Sequence, residues 1–139
     1  DYNNIYKFKK NISINYQNDG KSEYLINGIE NRIEQIVANL LDNSISFSDD
    51  GSEVIVNVSN GLEKKVIVKI LDEGQGFKEK DTSKIFNRFY SNRPENFGEH
   101  SGLGLNIVKN LVELHDGKIE ASNRLDKQGA LIEIKFPSL

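Results

Sequence analysis

The chain has 139 residues, an apolar share of 37%, a charged share of 28% and a net charge of −3. These values predict one globular domain with its own core, and they give no reason to expect a nucleic-acid partner. There is no cysteine and there are only two histidines, which excludes disulfides and thiolate chemistry and disfavours a zinc site. Because the chain starts at Asp1 and contains no methionine, we expect a piece of a longer protein.

Residues 1–10 are polar and mixed, and we expect them to be the end of a linker that precedes one domain at 11–139. Apolar side chains alternate with polar ones over 12–16, which predicts a strand. A turn pattern at 18–20 follows, and 23–26 could return as a short second strand that pairs with the first.

A helix is predicted from about Glu30 to Phe47. Asn39 and Asn43 lie four residues apart, so they share a helix face that borders the apolar stripe. Asparagine is a poor helix-interior residue because its side chain competes for backbone hydrogen bonds. The pair therefore indicates a function, although both amides could simply bind neighbouring backbone groups. The apolar stripe itself consists of Ile33, Ile36, Val37 and Leu40.

The second half of the chain alternates strands with short helices. Valines alternate over 54–58, and Asn60-Gly61 is typical of a hairpin turn. The more continuous apolar run at 66–71 predicts a central strand. Further predicted elements are a short helix at 84–90, a helix at 103–115 and a last hairpin of 118–123 with 130–136. Tight turns imply antiparallel pairing, and the helices can cover only one face, so we expect a two-layer α+β sandwich.

Two glycine clusters stand out. The first is Asp72–Phe77, with Gly74 and Gly76, and the second is Ser101–Leu105, which leads into the 103–115 helix. Glycine permits close backbone approach, and a glycine turn before a helix presents unpaired N–H groups that attract phosphate. We predict a nucleotide site closed by a mobile lid at 79–101. The alternative is two ordinary glycine turns around a long loop.

Two polar side chains suit the two ends of such a nucleotide. Asp72 follows the central strand, and its carboxylate can accept a hydrogen bond from the exocyclic amine that adenine carries. The amide oxygen of Asn43 is a hard neutral ligand that suits Mg²⁺ completed by phosphate and water.

Taken in order, these segments resemble the GHKL ATP-binding family, and within it the catalytic domains of sensor histidine kinases. Residues 32–44 resemble the N box, 72–76 the G1 box, 85–90 the F box and 101–105 the G2 box, and 129–137 resembles the closing strand. The resemblance covers about residues 11–137. Each box alone is weak, whereas all four in order are strongly specific.

The wording of the lid is most similar to ChvG-type sensor kinases, at residues 88–94 and 100–102. Three positions depart from the family pattern. The kinases often carry a basic residue where this chain has Ser46, and usually have small residues where it has Glu99 and His100.

The resemblance implies a Bergerat-type sandwich, in which a mixed, mostly antiparallel sheet of about five strands carries three helices on one face. ATP would lie between the N-box helix and the lid, with Mg²⁺ on Asn43. Asn39 and Asn43 would be the catalytic residues. The implied nucleotide-binding residues are Asn39, Asn43, Asp72, Gly74, Gly76, Phe77, Arg88, Phe89, Tyr90, Ser101, Gly102, Leu103, Gly104 and Leu105.

The implied activity is transfer of the ATP γ-phosphoryl group to a histidine on a separate upstream dimerisation domain. Neither His100 nor His115 suits the acceptor role, so the fragment should bind ATP but not phosphorylate itself. A GHKL ATPase is the first alternative, but those enzymes hold a glutamate base where this chain has Asn39, and asparagine cannot take a proton from water. An anti-sigma-type serine kinase and a binding-only module are further alternatives, which Phe86 and Phe89 and the intact glycines disfavour.

The expected partners follow from the same resemblance. They are ATP or ADP, the protein's own upstream domain in a homodimeric parent, and a response regulator of a two-component system. We expect the fragment itself to be monomeric, and to be a cytoplasmic domain of an inner-membrane sensor.

Overall fold

The computed structural model describes residues 11–20, 24–78, 81–87 and 104–139. Within them lie five strands and two α-helices in the order β1, α1, β2, β3, α2, β4, β5. Their bounds are β1 Ser13–Asn18, α1 Glu30–Phe47, β2 Glu53–Gly61, β3 Lys65–Leu71, α2 Gly104–Leu114, β4 Lys118–Asn123 and β5 Ala130–Pro137.

The strands form one mixed sheet in the order β1-β2-β3-β5-β4, with β3 at its centre as predicted. All pairs are antiparallel except β1 with β2, where Ser13 lies opposite Glu53 and Asn18 opposite Val58. The expected hairpin between β1 and residues 23–26 is therefore wrong. Helix α1 connects β1 to β2 and provides the long crossover that a parallel pair requires, while Ile26 makes an isolated bridge to Ser138.

The turn between β2 and β3 lies later than the Asn60-Gly61 pair predicted. Gly61 is still paired with Lys65, and the chain reverses at Glu63 and Lys64, which have φ of 59° and 55°. A Cβ on Gly61 would overlap the Ile67 side chain. The glycine thus makes room for a cross-strand neighbour and does not form the turn.

The hydrophobic core lies between the sheet and the two α-helices, which confirms the two-layer α+β sandwich. Helix α1 contributes the side chains that its apolar stripe predicted, and alternate residues of β3 and β5 face them. Buried members of this core are Ile36, Leu40, Val54, Ile70, Val108, Val112, Ile132, Ile134 and Phe136.

Of the three helices implied by the resemblance, the described residues form two. The short helix predicted at 84–90 is a 3-10 helix that begins earlier, Thr82–Phe86, and residues 88–90 lie outside the described ones. Asp81 caps it by accepting from the Ser83 N–H, and the Asn87 N–H closes it on the Lys84 carbonyl, three residues back. Hydrogen bonds between residues three apart are typical of such a five-residue segment, because 3-10 helices occur in short pieces. None of the described helices is long and apolar enough to cross a membrane.

His115 connects the two α-helices. Its Nδ1 donates to the Leu111 carbonyl at 2.7 Å, and its Nε2 accepts from the Ile29 N–H at 3.1 Å. Ile29 is the N-cap of α1 and has no side-chain cap bond. The His115 imidazole, directly after α2, thus satisfies a backbone donor at the start of α1, which requires the neutral ring with its proton on Nδ1.

Replacing His115 with Ala should destabilise the fold. The substitution removes both hydrogen bonds and leaves the half-buried Ile29 N–H without its acceptor, which costs about 1–3 kcal/mol in free energy of unfolding. Urea denaturation followed by circular dichroism measures this. The exposed Asn110→Ala on the same helix is the matched control, and it should change the same quantity by less than about 0.5 kcal/mol. Equal effects of the two variants would contradict the connecting role of His115.

Candidate nucleotide site

The first glycine cluster lies where α1 and β3 end. The G1 turn, which we define as Asp72–Phe77, follows β3 directly. A Cβ on Gly74 would overlap the carbonyl oxygen of Phe47, the last residue of α1. The turn therefore lies against the end of the helix that carries both asparagines, which is the juxtaposition that a nucleotide site between these segments needs.

Asp72 is almost fully buried, with 3% of its surface exposed. Its Oδ1 accepts from the Gly74 N–H at 2.9 Å and from the Ala130 N–H at 3.0 Å. Within the described part of the chain, Oδ2 accepts no hydrogen bond. One oxygen thus fixes the carboxylate to the backbone, and the other remains available to a donor from a ligand.

Burial raises the pKa of Asp72 above its usual value, because the charged form loses water. The two backbone N–H groups and the Arg124 guanidinium oppose that increase in pKa. Since the folded pKa lies above the unfolded one, this group favours folding most in acid. That contribution is lost as the pH rises through the folded pKa. Burial therefore disfavours the ionised form in the folded protein, and carboxyl groups with perturbed pKa values are frequent at functional sites.

The two glycines of the G1 turn are needed for different reasons. Gly74 leaves no room for a Cβ beside the Phe47 carbonyl. Gly76 has a φ of +81°, in the left-handed region, and a Cβ there would lie 2.6 Å from the Asn123 Oδ1. Both are therefore structural requirements of the turn, whether or not a ligand is bound.

Residues at the end of β4 and in the β4–β5 connection hold this turn in place, and no sequence pattern predicted them. Asn123 pairs with both backbone groups of Phe77, accepting from its N–H at 2.6 Å and donating to its carbonyl at 3.1 Å. Arg124 donates from Nη1 to the Asp72 carbonyl at 3.1 Å. Gly129 packs against that carbonyl so closely that a Cβ would overlap it. No local pattern in the sequence indicates contacts across about 50 residues.

Asn39 and Asn43 lie four residues apart in α1, so their side chains share one face of the helix, as predicted. Asn43 is 4% exposed and Asn39 is half-buried. The described residues contain no group of three or more His, Cys, Asp or Glu side chains able to hold a metal ion. A neutral amide such as Asn43 nevertheless fits Mg²⁺ that takes its other ligands from phosphate and water.

Ser46 occupies the position where related kinases often carry a basic residue. It is completely buried, and its Oγ donates to the Asn43 carbonyl at 2.7 Å. Its hydroxyl therefore belongs to the last turn of α1. This position therefore offers no basic side chain to a phosphate group.

The F-box segment is anchored in the core at its start. Ile85 and Phe86 are 1% and 4% exposed, and Asn106 of α2 donates from Nδ2 to the Phe86 carbonyl at 3.2 Å. Phe86 therefore packs in the core at the end of the described part of this segment. The other predicted lid and G2 residues lie outside the described residues; they are Arg88, Phe89, Tyr90, His100, Ser101, Gly102 and Leu103.

The beginning of α2 supplies the described part of the second glycine cluster. Gly104 is its first residue, and a Cβ added there would meet no atom of the described residues within 4 Å. Leu105 belongs to the core. Any ligand contact by Leu105 would therefore come from its backbone.

Comparison with known proteins agrees with this geometry. Residues 28–139 match the family described as histidine kinase-, DNA gyrase B-, and HSP90-like ATPase. The chain belongs to this family. It is the ATPase-type catalytic domain that sensor histidine kinases carry, as the four boxes predicted.

Individual relatives are sensor kinases. The sensor protein ChvG of Agrobacterium fabrum is 38% identical over 135 residues, which cover 92% of this chain and 22% of ChvG. The sensor protein KdpD of Clostridium acetobutylicum is 42% identical over 107 residues, covering 76% of this chain and 12% of KdpD. The chain thus spans about a fifth or less of the length of these relatives. The predicted similarity to ChvG-type sensors is confirmed.

Solved structures give the same fold. The catalytic domain of the histidine kinase ThkA superposes with a TM-score of 0.78 at 25% identity, covering 98% of this chain and 87% of that one. The mycobacterial sensor histidine kinase MprB gives 0.78 at 24% identity, with 98% and 88% covered. The mixed five-stranded sheet is therefore the sheet of histidine kinase catalytic domains.

The two kinds of glycine should respond differently to alanine. Gly74→Ala forces a methyl group onto the Phe47 carbonyl and should lower the free energy of unfolding by about 1–3 kcal/mol. Gly104→Ala meets no neighbour and adds a better helix former, so it should leave that free energy unchanged or raise it by up to about 1 kcal/mol. Chemical denaturation of the unliganded domain measures both. A stable Gly74→Ala variant would contradict the close packing of the G1 turn.

Proposed function

We propose that this domain binds ATP with Mg²⁺ and supplies the γ-phosphoryl group to a histidine on a separate dimerisation domain of the same, longer protein. The observation that carries the proposal is the buried Asp72 carboxylate, held through Oδ1 by two backbone N–H groups. A carboxylate buried at a cost to stability, with its second oxygen available, suits recognition of a specific donor.

Adenine supplies that donor. Its exocyclic amine can donate to Asp72 Oδ2, whereas guanine presents a carbonyl oxygen at the same edge and would face the carboxylate with an acceptor. Burial strengthens this discrimination, because a polar group left unpaired away from water is costly. Gly74 and Gly76 allow the backbone to follow this base closely, and Phe77 beside them is half-buried.

The phosphates and Mg²⁺ belong at the α1 and α2 side of the site. Asn43 would ligate Mg²⁺, which neutralises the phosphate charge, and Asn39 one turn earlier would orient the phosphates. The N–H groups at the start of α2, beginning with Gly104, are suited to phosphate because a helix N-terminus carries unpaired donors. We assign the remaining contacts to Arg88, Phe89, Tyr90, Ser101, Gly102, Leu103 and Leu105.

The reaction type follows from Asn39. Direct hydrolysis needs a group that takes a proton from water, and an amide cannot do so. In phosphoryl transfer to an imidazole, the nucleophile comes from the acceptor domain. This chain then has only to position the nucleotide and stabilise charge. An ATPase of the gyrase type is the second candidate function, and it would require a base from another part of the protein.

We further propose that the parent protein is a homodimeric membrane sensor with this domain in the cytoplasm, and that it acts with a response regulator. The support is the family of relatives, together with the solved complex of the histidine kinase ThkA and the response regulator TrrA. The chain itself contains neither a candidate acceptor histidine nor a described membrane-spanning helix.

Replacing Asp72 with Asn should separate binding from stability. Asparagine keeps an oxygen that accepts from the Gly74 and Ala130 N–H groups. It presents an amide NH₂ group to the exocyclic amine of adenine, so that two donors face each other, and ATP affinity should fall by about tenfold or more. The unliganded variant should be at least as stable at neutral pH, because the buried charge is removed. Calorimetry with ATP and GTP and urea denaturation measure the two effects. The exposed Glu120→Gln is the control, and equal ATP and GTP affinities in the parent chain would refute the adenine contact.

The isolated chain should hydrolyse ATP very slowly and should transfer phosphate only when an acceptor domain is supplied. A catalytic base contributes about 10²- to 10⁴-fold to a rate, and Asn39 provides none. Phosphate release is measured on the chain alone, and labelled transfer is measured after adding the parent's helical domain. The product should be acid-labile and alkali-stable, as a phosphoramidate is. Brisk hydrolysis without transfer to any histidine would favour the ATPase.

A further inference from the structure

The last residue of β4 and the β4–β5 connection, together Asn123–Gly129, hold both ends of the G1 turn. At the far end, the Asn123 side chain makes the two hydrogen bonds to Phe77 that a neighbouring strand would make. Asn123 itself is the last residue of β4, paired with Ala130. The side chain therefore extends the edge of the sheet by one residue pair and fixes where the turn ends.

At the near end, Arg124 holds Asp72. Its side chain is only 4% exposed, although it carries a full charge. Nη1 donates to the Asp72 carbonyl, while Nε and Nη2 donate to the two oxygens of Asp126 at 3.0 and 2.9 Å. The Asp126 pair orients the planar guanidinium, so that its remaining edge is aimed at the backbone of the adenine-binding residue.

The charged side chains around Asp72 include those of Arg124, Glu73 and Lys127. The positive charge of Arg124 opposes the desolvation that raises the pKa of Asp72. Glu73, the next residue, accepts from the Glu53 N–H at 2.7 Å and pairs with Lys127 at 3.0 Å. The neighbouring carboxylate therefore has its own partners, and the Arg124 contact is directed to Asp72.

We propose that Asn123 and Arg124 are positioning residues for nucleotide recognition, which set the preference for adenine by fixing the direction of the Asp72 carboxylate. They touch the turn and not the nucleotide, so they act through Asp72. The inference rests on the proposed adenine contact of Asp72. A hydrogen bond weakens steeply as its angle departs from linearity, so a small rotation of the turn changes the affinity for adenine more than the affinity for a base that never made this bond.

The test compares the affinities for ADP and GDP, which isolates the base from the γ-phosphate. Arg124→Gln and Asn123→Ala should each weaken ADP binding by about tenfold, the loss of one well-placed hydrogen bond, while GDP affinity stays within about twofold. The ratio of the two affinities should therefore fall. Arg124→Lys keeps the charge but loses the planar fork, and should restore only part of the ratio.

Lys127→Gln is the matched control, because it lies in the same connection and pairs with Glu73 but touches neither Asp72 nor Phe77. It should leave both affinities unchanged. Urea denaturation of each variant reports how much of any loss follows from stability. If Arg124→Gln does not fold, Arg124→Lys takes its place, because lysine keeps the positive charge and changes the geometry of the donor.

The outcomes separate the two proposals. A purely structural role predicts that ADP and GDP affinities fall together, in proportion to the folded fraction, and that result would overturn the positioning role. If Asp72→Asn lowers the ADP:GDP ratio and the Arg124 and Asn123 variants do not, only the present inference fails. If Asp72→Asn itself leaves the ratio unchanged, the adenine contact fails first.

Discussion

The site depends on one buried carboxylate. Asp72 accepts the N–H groups of Gly74 and Ala130 through a single oxygen, so it connects the end of β3, the G1 turn and the start of β5. Burial makes the charge unfavourable, and backbone donors and Arg124 compensate for only part of that cost. A protein optimised for stability alone would place a neutral residue here. A buried carboxylate in this position supports the binding role proposed for Asp72.

The glycines around this carboxylate are needed by the packing of the backbone. Gly74 meets the end of α1, Gly76 adopts a left-handed φ against Asn123, and Gly129 packs on the Asp72 carbonyl. Gly104, in contrast, has no atom of the described residues within 4 Å of a Cβ built on it. Within the described part of the chain, the packing therefore does not account for this glycine, whereas it accounts for the other three. This contrast supports the proposal that phosphate approaches the start of α2.

Local patterns predicted much of this arrangement, and long-range contacts account for the rest. The bounds of α1, Glu30–Phe47, follow from its apolar period, and β3 follows from its continuous apolar run. The pairing of β1 with β2 was not predictable from the nearest turn, because a parallel partner is chosen across the whole of α1. Likewise Asn123 and Arg124 look like ordinary loop residues. Their roles arise only when the β4–β5 connection folds onto a turn that lies about 50 positions earlier.

The two ends of the proposed site differ in how charge is provided. At the adenine end, Asp72, Arg124 and Asp126 are fixed by hydrogen bonds within the chain. At the phosphate end, Ser46 lies in the core and donates to the Asn43 carbonyl, so this position contributes no cation. In the proposed site, the phosphate charge would be neutralised by Mg²⁺ on Asn43, by the N-terminus of α2 and by Arg88. Because Asn39 cannot take a proton from water, ATP bound in such a site would persist until an acceptor imidazole arrives, which suits the proposed transfer to a partner domain.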